Sequence, residues 1–331
     1  MKNIRWGIIG CGDVTEVKSG PAFQKIEGSQ LVAVMRRNGG KAKDYAERHG
    51  VPTWYDDADT LIHDPNVDAV YIATPPSSHA DYAIKVLEAG KPVYVEKPMA
   101  MDYAECKRMI AASEKANLPL FVAYYRRRLP AFLKVEELLE AGAIGDVRFM
   151  TIELYQPAEE GEQDPQNWHW HILPEFSAGG RFVDMGCHQL DILDYLFGPI
   201  DAAQGIAQNQ AKLYPAEDIV CANFRFQTGV LGTGMWCFTI SEESRRDQIE
   251  IIGSRGRITF SAFQAAPVRL DTAETVEEYE FPWPEHVAQP LIETVVAELQ
   301  GRGTCPSTAV SAARTTRIVD HVLADWRQTL S

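Results

Sequence analysis

The sequence predicts an α/β protein in two parts: a parallel sheet covered by helices on both faces, then an antiparallel meander. Two observations carry this. Five short, continuously apolar runs fall within residues 1–125 and alternate with helix-like stretches. That is the pattern of strands buried on both faces and joined by crossover helices. Between residues 202 and 281 the pattern changes to alternating runs separated by turn signals (Gln227-Thr228-Gly229, Gly253-Ser254-Arg255-Gly256), as in antiparallel hairpins. The domain limits are set at 1–125 and 126–331, and the last helix is allowed to pack back on the first domain.

The elements follow in order. Apolar runs at residues 6–9, 31–35, 69–73, 93–95 and 120–123 read as strands. Helix patterns occupy 40–49, 78–88 and 102–116, with Gly50, Gly90 and Asn117 where C-caps belong. Ser19-Gly20-Pro21 lies where the first helix should run, and proline breaks it there. Beyond residue 125, 131–141 reads as a helix stopped near Gly142 and 147–154 as a strand. A loop rich in Pro, Glu, Gln and aromatics covers 156–180, and a helix follows at 186–197. Two helices, near 285–299 and 310–326, close the chain.

Composition narrows the class. At 331 residues, 45% apolar and 24% charged, the chain is an ordinary globular protein of one large or two average domains. No run approaches the roughly 18 uncharged apolar residues that span a bilayer. The chain enters an apolar strand by Trp6, without the apolar region and cleavage site of a signal peptide, so none is expected. Six scattered cysteines with no Cys-x-x-Cys pair speak against a zinc site or disulfide framework and for a reducing cytoplasm. A net charge of −14 opposes a nucleic-acid or anionic-membrane partner and leaves a small-molecule ligand.

The first strand runs into Gly10-Cys11-Gly12-Asp13-Val14-Thr15. Two glycines here fit a dinucleotide fingerprint: a tight turn, then close backbone approach to a pyrophosphate at a helix N-terminus. The third glycine position is Thr15. The competing reading is a tight turn in some other α/β protein. After the second strand stands Met35-Arg36-Arg37-Asn38, with no carboxylate to accept from a ribose hydroxyl. Arg36 and Arg37 suit a 2′-phosphate, so NADP is preferred and NAD is the alternative.

Two further stretches carry chemistry. Tyr94-Val95-Glu96-Lys97-Pro98 ends a strand with a charge pair and a proline, where Lys97 can reach over a ligand at the sheet edge; a surface turn with an ordinary ion pair is the other reading. On a helix, Asp184 and His188 are four apart and share a face, so that a carboxylate orients an imidazole able to move protons near neutral pH. Asp191 is on the same side, with solvent as its other destination, and a capping Asp184 beside a core histidine is the structural alternative. Trp168-His169-Trp170-His171 matches no standard metal-ligand spacing, so no metal is expected. These aromatic and imidazole groups are read as the wall of a substrate pocket. No Gly-x-Ser-x-Gly elbow supports nucleophilic hydrolysis.

Taken together these residues resemble the Gfo/Idh/MocA oxidoreductases, relatives of glucose–fructose oxidoreductase and inositol dehydrogenase. The resemblance spans nearly the whole chain. It rests on Trp6 to Gly12, Ala73-Thr74-Pro75-Pro76-Ser77-Ser78-His79, Ala89 to Pro98, and Gly179-Gly180 through Asp184, His188 and Asp191. It implies an N-terminal Rossmann domain and a C-terminal α/β domain with a large, open, mostly antiparallel sheet through which homodimers or homotetramers form. It implies that Lys97 contacts nicotinamide ribose and the reacting hydroxyl, that His188 exchanges the proton, and that Asp184 orients His188 or holds a substrate hydroxyl. Thr74, Pro75, His79 and Glu96 would line the cofactor. Tyr124, Arg126, Arg127 and Trp170 would approach substrate or nicotinamide. It also implies a cis Lys97–Pro98 bond. The expected activity is NAD(P)-dependent oxidation of a secondary alcohol, or reduction of the ketone, on a sugar, cyclitol or related polyol. Glycoside cleavage through transient oxidation, a dihydrodiol dehydrogenase or carbonyl/imine reductase, and a non-catalytic dinucleotide-binding regulator are the alternatives. The run Tyr124-Tyr125-Arg126-Arg127-Arg128 is more basic than the family pattern, which points either to an anionic substrate or to arginines turned toward carboxylates.

Overall fold

The computed structural model describes residues 3–330; Met1, Lys2 and Ser331, which the domain limits above take in, lie outside the described residues. The first sheet contains β1 Ile4–Ile9, β2 Ser29–Met35, β3 Thr53–Tyr55, β4 Ala69–Ile72, β5 Val93–Val95 and β6 Leu120–Val122. Its order is β3-β2-β1-β4-β5-β6 and every neighbouring pair is parallel. The order reverses between β1 and β4, the switch point outside which such sheets bind ligands. Every residue of β4, β5 and β6 is buried, which is why the sequence reads as unbroken apolar runs.

Local chemistry sets the ends. Gly50 (φ 64°) and Asn117 (φ 52°) are left-handed C-caps of helices Gly39–His49 and Tyr103–Ala116, and Asp102 caps the second by accepting from Glu105 N. The interruption at Ser19-Gly20-Pro21 is present: short helices Asp13–Glu16 and Ala22–Lys25 stand where one helix would. The break exposes the Thr15 carbonyl, which accepts from the Tyr45 hydroxyl at 2.7 Å. A Cβ at Gly20 would collide with both groups. Two elements were not expected, β3 and the helix Ala58–His63. β3 is a three-residue edge strand with Trp54 exposed, too short and too wet to register as an apolar run.

The second sheet contains β7 Val147–Tyr155, β8 Ile200–Gln208, β9 Ile219–Phe226, β10 Leu231–Cys237, β11 Arg246–Gly253, β12 Gly256–Phe260, β13 Val268–Thr272 and β14 Val276–Tyr279. Its order is β14-β13-β12-β11-β7-β10-β9-β8. Pairs are antiparallel except β7 with β10. One face is apolar and buried: Met150, Ile152, Leu154, Val220, Ala222, Phe224, Trp236, Ile249 and Ile251. Gly232 and Gly234 on β10 leave room there for the rings of Phe224 and Trp236. The helix Cys187–Phe197 is buried at every position from Cys187 to Asp194, so it is the central helix of this half and not a surface helix. The expected loop at 156–180 is a chain of short turns, with 3₁₀ segments Glu160–Gln163, Pro165–Asn167 and Trp170–Ile172, and a four-residue helix Pro174–Ser177.

The chain divides into two compact units. The first runs to Arg128 and takes in Pro284–Ala313; the second is Leu129–Trp283 and resumes at Arg314. Helix Gln289–Leu299 joins the first because Leu291, Ile292, Val295 and Val296 are buried in one core with Trp6, Phe23 and Tyr94. Among the described residues no helix is long and apolar enough to cross a membrane.

Candidate active site

In the first unit the glycine loop hangs from the end of β2: Gly10 N and Cys11 N both donate to Met35 O, at 2.9 and 3.2 Å. Gly10 has φ 92°, and a Cβ there would meet Thr74 Cγ2 at 2.7 Å and the Ala73 carbonyl carbon at 2.9 Å. The chain itself demands that glycine. Gly12 is different. A Cβ at Gly12 would meet only Gly10 O, at 3.8 Å, so its smallness serves no packing within the loop. It leaves an open backbone surface where helix Asp13–Glu16 begins with no side-chain cap. That surface fits a dinucleotide pyrophosphate. Thr15, at the third glycine position, is fully buried, and its N–H and hydroxyl both donate to Gly12 O, at 2.9 and 2.7 Å.

Cys11 contributes backbone, not thiol. Its side chain is buried and burial pushes the thiol up to about 11. Its carbonyl accepts from Arg36 Nη1 at 3.3 Å, which holds the half-buried Arg36 beside the loop, while Arg37 and Asp13 are exposed and Val14 half-buried.

The ends of β4 and β5 are tied together by buried polar groups. His79 is fully buried, with Nε2 2.7 Å from Thr74 O and Nδ1 3.0 Å from Pro98 O. Burial lowers its pKa to about 4, against the backbone groups of Thr74, Pro98 and Met99 that favour the charged ring. A neutral ring has one N–H to donate, so one of the Thr74 and Pro98 carbonyls accepts from it, and the buried ring packs between the Thr74-Pro75 turn and the turn after β5. Thr74 Oγ1 accepts from Ser78 Oγ at 2.8 Å. Glu96 is 8% exposed; Oε1 accepts from Tyr71 Oη at 2.5 Å and Oε2 from Lys97 N at 3.2 Å. Burial raises the Glu96 carboxyl above its usual range, opposed by the Tyr71 hydroxyl and the Lys97 charge. Tyr71 Oη lies 3.1 Å from Ser19 Oγ, which donates to Val14 O at 3.2 Å, so a buried polar chain runs from Glu96 to the glycine loop. Lys97 is half-buried at the carboxyl end of β5, and its bond to Pro98 is cis.

The arginine run turned out to be partly internal. Tyr124, Arg126 and Arg127 are buried. Arg127 Nη1 donates to Pro306 O at 2.6 Å and Ser311 Oγ at 2.9 Å, so it holds that segment. The Arg126 guanidinium lies 5.0 Å from the Tyr125 ring centre.

In the second unit the helix expected at 186–197 starts at Cys187, and Asp184 belongs to a π-helical turn, Phe182–Gly186. Asp184 thus lies in the π-helical turn and His188 in the α-helix that continues from it. Gly186 permits that turn, since a Cβ there would lie 2.7 Å from the Phe182 ring. His188 is 4% exposed, with the Phe263 ring edge-on at 6.1 Å. Three other polar residues of the helix have structural partners. Gln189 Oε1 accepts from Trp236 Nε1 at 2.6 Å, Asp191 Oδ1 from Thr315 Oγ1 at 3.2 Å, and Asp194 is paired with Arg314. Asp191 is 1% exposed, so the solvent-facing reading of it is corrected.

Trp170 and His171 are half-buried and stacked 3.7 Å apart, and His171 stacks on His169 at 4.3 Å. Their loop is anchored by groups that sequence reasoning missed. Arg181 Nε bonds Glu162 Oε1 at 2.5 Å and its Nη2 pairs with Glu159 at 2.6 Å, while Trp168 Nε1 donates to Glu162 O at 3.1 Å. Nothing in periodicity marks Glu162, a carboxylate inside a polar loop that is nevertheless 4% exposed.

Comparison with known proteins agrees with this architecture. A family model described as the oxidoreductase family with NAD-binding Rossmann fold matches residues 4–124, and the GFO/IDH/MocA C-terminal domain matches 132–259. Oxidoreductase P35 of Formosa agariphila is 40% identical over 319 residues, 96% of this chain and 97% of that protein. Myo-inositol 2-dehydrogenase of Thermotoga maritima is 29% identical, over 77% and 74% of the two chains. Trans-1,2-dihydrobenzene-1,2-diol dehydrogenase of Mus musculus is 30% identical, over 85% and 80%. With a Rossmann sheet ending in a glycine cradle, a large mostly antiparallel second sheet, and both family domains matched in order, this chain belongs to the Gfo/Idh/MocA family of NAD(P)-dependent oxidoreductases.

Proposed function

We propose that the protein catalyses reversible hydride transfer between NADP(H) and a secondary alcohol or ketone of a sugar, cyclitol or related polyol, with Lys97 and His188 handling the hydroxyl proton. The observation that carries this reading is the open backbone at Gly12, in a Rossmann unit that also carries a half-buried lysine at the carboxyl end of β5. When bound, the nicotinamide supplies the carbon that gives or accepts the hydride. His188, the buried imidazole of the second unit's central helix, takes the proton from the hydroxyl or returns it. Asp184 orients His188 or holds a neighbouring hydroxyl. The Lys97 ammonium stabilises charge developing on the substrate oxygen. Trp170, His171, Tyr124 and Arg126 are the proposed substrate contacts. Glu96 and His79 fix the turns from which Lys97 and Thr74 project.

Support for NADP comes from Arg36, held beside the glycine loop through Cys11 O, and from the lack of a carboxylate directly after β2. Support for a hydroxylated ring as substrate comes from the relatives named for inositol and dihydrobenzenediol. The mouse relative also keeps a dihydrodiol dehydrogenase as the second reading. The outer face of the second sheet is proposed as a homodimer or homotetramer contact.

The test is steady-state turnover with NADPH and NADH against a panel of sugars, cyclitols and dihydrodiols. Lys97→Ala and His188→Ala should each lower turnover at least ~10²-fold and leave dinucleotide binding in place. Near-normal turnover in either variant removes that residue from the mechanism. Arg36→Ala should weaken NADPH more than NADH. Equal weakening removes the NADP assignment, and dinucleotide binding with no turnover on any panel member favours a regulator.

A further inference from the structure

Glu217 has no part in the site described above, yet it touches the segment that carries it. It is 1% exposed, and its Oε1 accepts from Gly180 N at 2.8 Å. Gly180 O in turn accepts from Asp184 N at 3.2 Å, at the entrance to the π-helical turn. Both glycines give Glu217 room: a Cβ at Gly179 would clash with Val183 and lie 3.1 Å from Glu217 Oε1, and one at Gly180 would lie 2.7 Å from Glu217 O. Glu217 Oε2 is buried with no hydrogen-bond partner among the described residues. The charged groups around it are engaged elsewhere. Asp218 accepts from Gln210 N and Ala211 N, and Arg327 donates to Ala178 O at 2.9 Å and pairs with Asp320. Arg181 is held by Glu159 and Glu162, and the buried Tyr214 hydroxyl brings no charge.

We propose that Glu217 is a positioning residue for the proton-transfer segment, holding Asp184 and His188 in register through Gly180, and that this hold strengthens when the carboxyl ionises. The proposal rests on the role given above to Asp184 and His188. Burial, with no full counter-charge, pushes the Glu217 carboxyl up to about 7. A carboxylate accepts a backbone N–H more strongly than a neutral acid does. The segment is therefore held more firmly above that pH than below it.

The experiment compares the wild type with Glu217→Gln, which keeps a neutral acceptor for Gly180 and removes the ionisation. Two readouts are taken. The first is the melting temperature against pH, without substrate. A carboxyl whose pKa rises from 4.5 to about 7 on folding contributes stability that is complete below 4.5 and lost as pH rises to about 7. The wild type should show that decline relative to the variant. The second is the pH profile of kcat, in which the variant should lose one ionisation near 7 while its KM for dinucleotide stays unchanged. A stability difference with an unaltered kcat profile overturns the positioning role, because the carboxyl then titrates without reaching the reaction. No difference in either readout overturns the proposal outright. If Lys97→Ala and His188→Ala both turn over normally, the functional reading has failed, and the melting curves still report on Glu217 independently.

Discussion

Gly10 and Gly12 belong to one fingerprint but answer to different forces. Gly10 serves the chain: φ is 92° and the space at its Cβ is filled by Thr74 and Ala73. Gly12 has open space at its Cβ, and on the proposed reading that space takes the dinucleotide. Gly10→Ala should therefore cost about 1–3 kcal/mol of stability from backbone strain alone, seen as a lower midpoint in urea unfolding. Gly12→Ala should leave that midpoint unchanged and weaken dinucleotide binding at least ~10-fold by titration, about 1.4 kcal/mol. If both variants lose stability equally, the cradle assignment fails. Spacing alone could not separate the two glycines, because their roles depend on what β4 places against the loop. The same holds for His79 and Arg127. Each is buried beside backbone carbonyls or a hydroxyl that the fold brings near, and no spacing in the sequence records those neighbours.

At the scale of elements, the Cys187–Phe197 helix concentrates buried polar groups in the second unit. Its burial on all sides makes each partner matter. Asp194 is 1% exposed and paired with Arg314, whose own side chain is 31% exposed. Arg314→Ala leaves that carboxylate buried without its counter-charge, and should cost about 3 kcal/mol in denaturant unfolding. Adding Asp194→Asn should recover part of the loss, and a single variant as stable as wild type would show that the pair contributes nothing. The helix itself was legible, since Gly198-Pro199 stops it and its apolar content is high. The π-helical turn ahead of it was not. It inserts one extra residue per turn over a single turn, too short to disturb periodicity, and depends on the Phe182 ring packing 4.9 Å from Trp236, a residue far along the chain. The interruption at Ser19-Gly20-Pro21 was legible because proline and glycine act locally; β3 and the helix after it were not, because a three-residue edge strand has no period.

Over the whole molecule, the second sheet has one buried face and one open face, and the open face is the one proposed above as the contact between copies. Register places Phe149, Leu231 and Ile252 side by side across β7, β10 and β11 on the face opposite the buried one, with Phe149 44% and Leu231 56% exposed. Apolar side chains grouped on a sheet face are what the proposed contact would bury. Leu231→Glu should shift the protein toward monomer in sedimentation velocity without lowering the two-sheet content by circular dichroism. A wild type that sediments as a monomer at all concentrations would remove the proposal.

The sequence by itself determined the class of fold, the order of its strands along the chain and the family, because those follow from local period, turn residues and short motifs. It also picked out the glycine loop, Lys97-Pro98 and the Asp184–His188 segment, since each is a run of neighbouring residues. Only the tertiary structure decided which polar residues are spent inside the fold. It turned Asp191 inward to Thr315, tied Glu96 through Tyr71 toward the glycine loop, and set the unannounced Glu217 under Gly180. The physical reason is that burial and hydrogen-bond partners come from residues distant in sequence. Asp191 and Thr315 are 124 positions apart, and no local pattern records such a meeting.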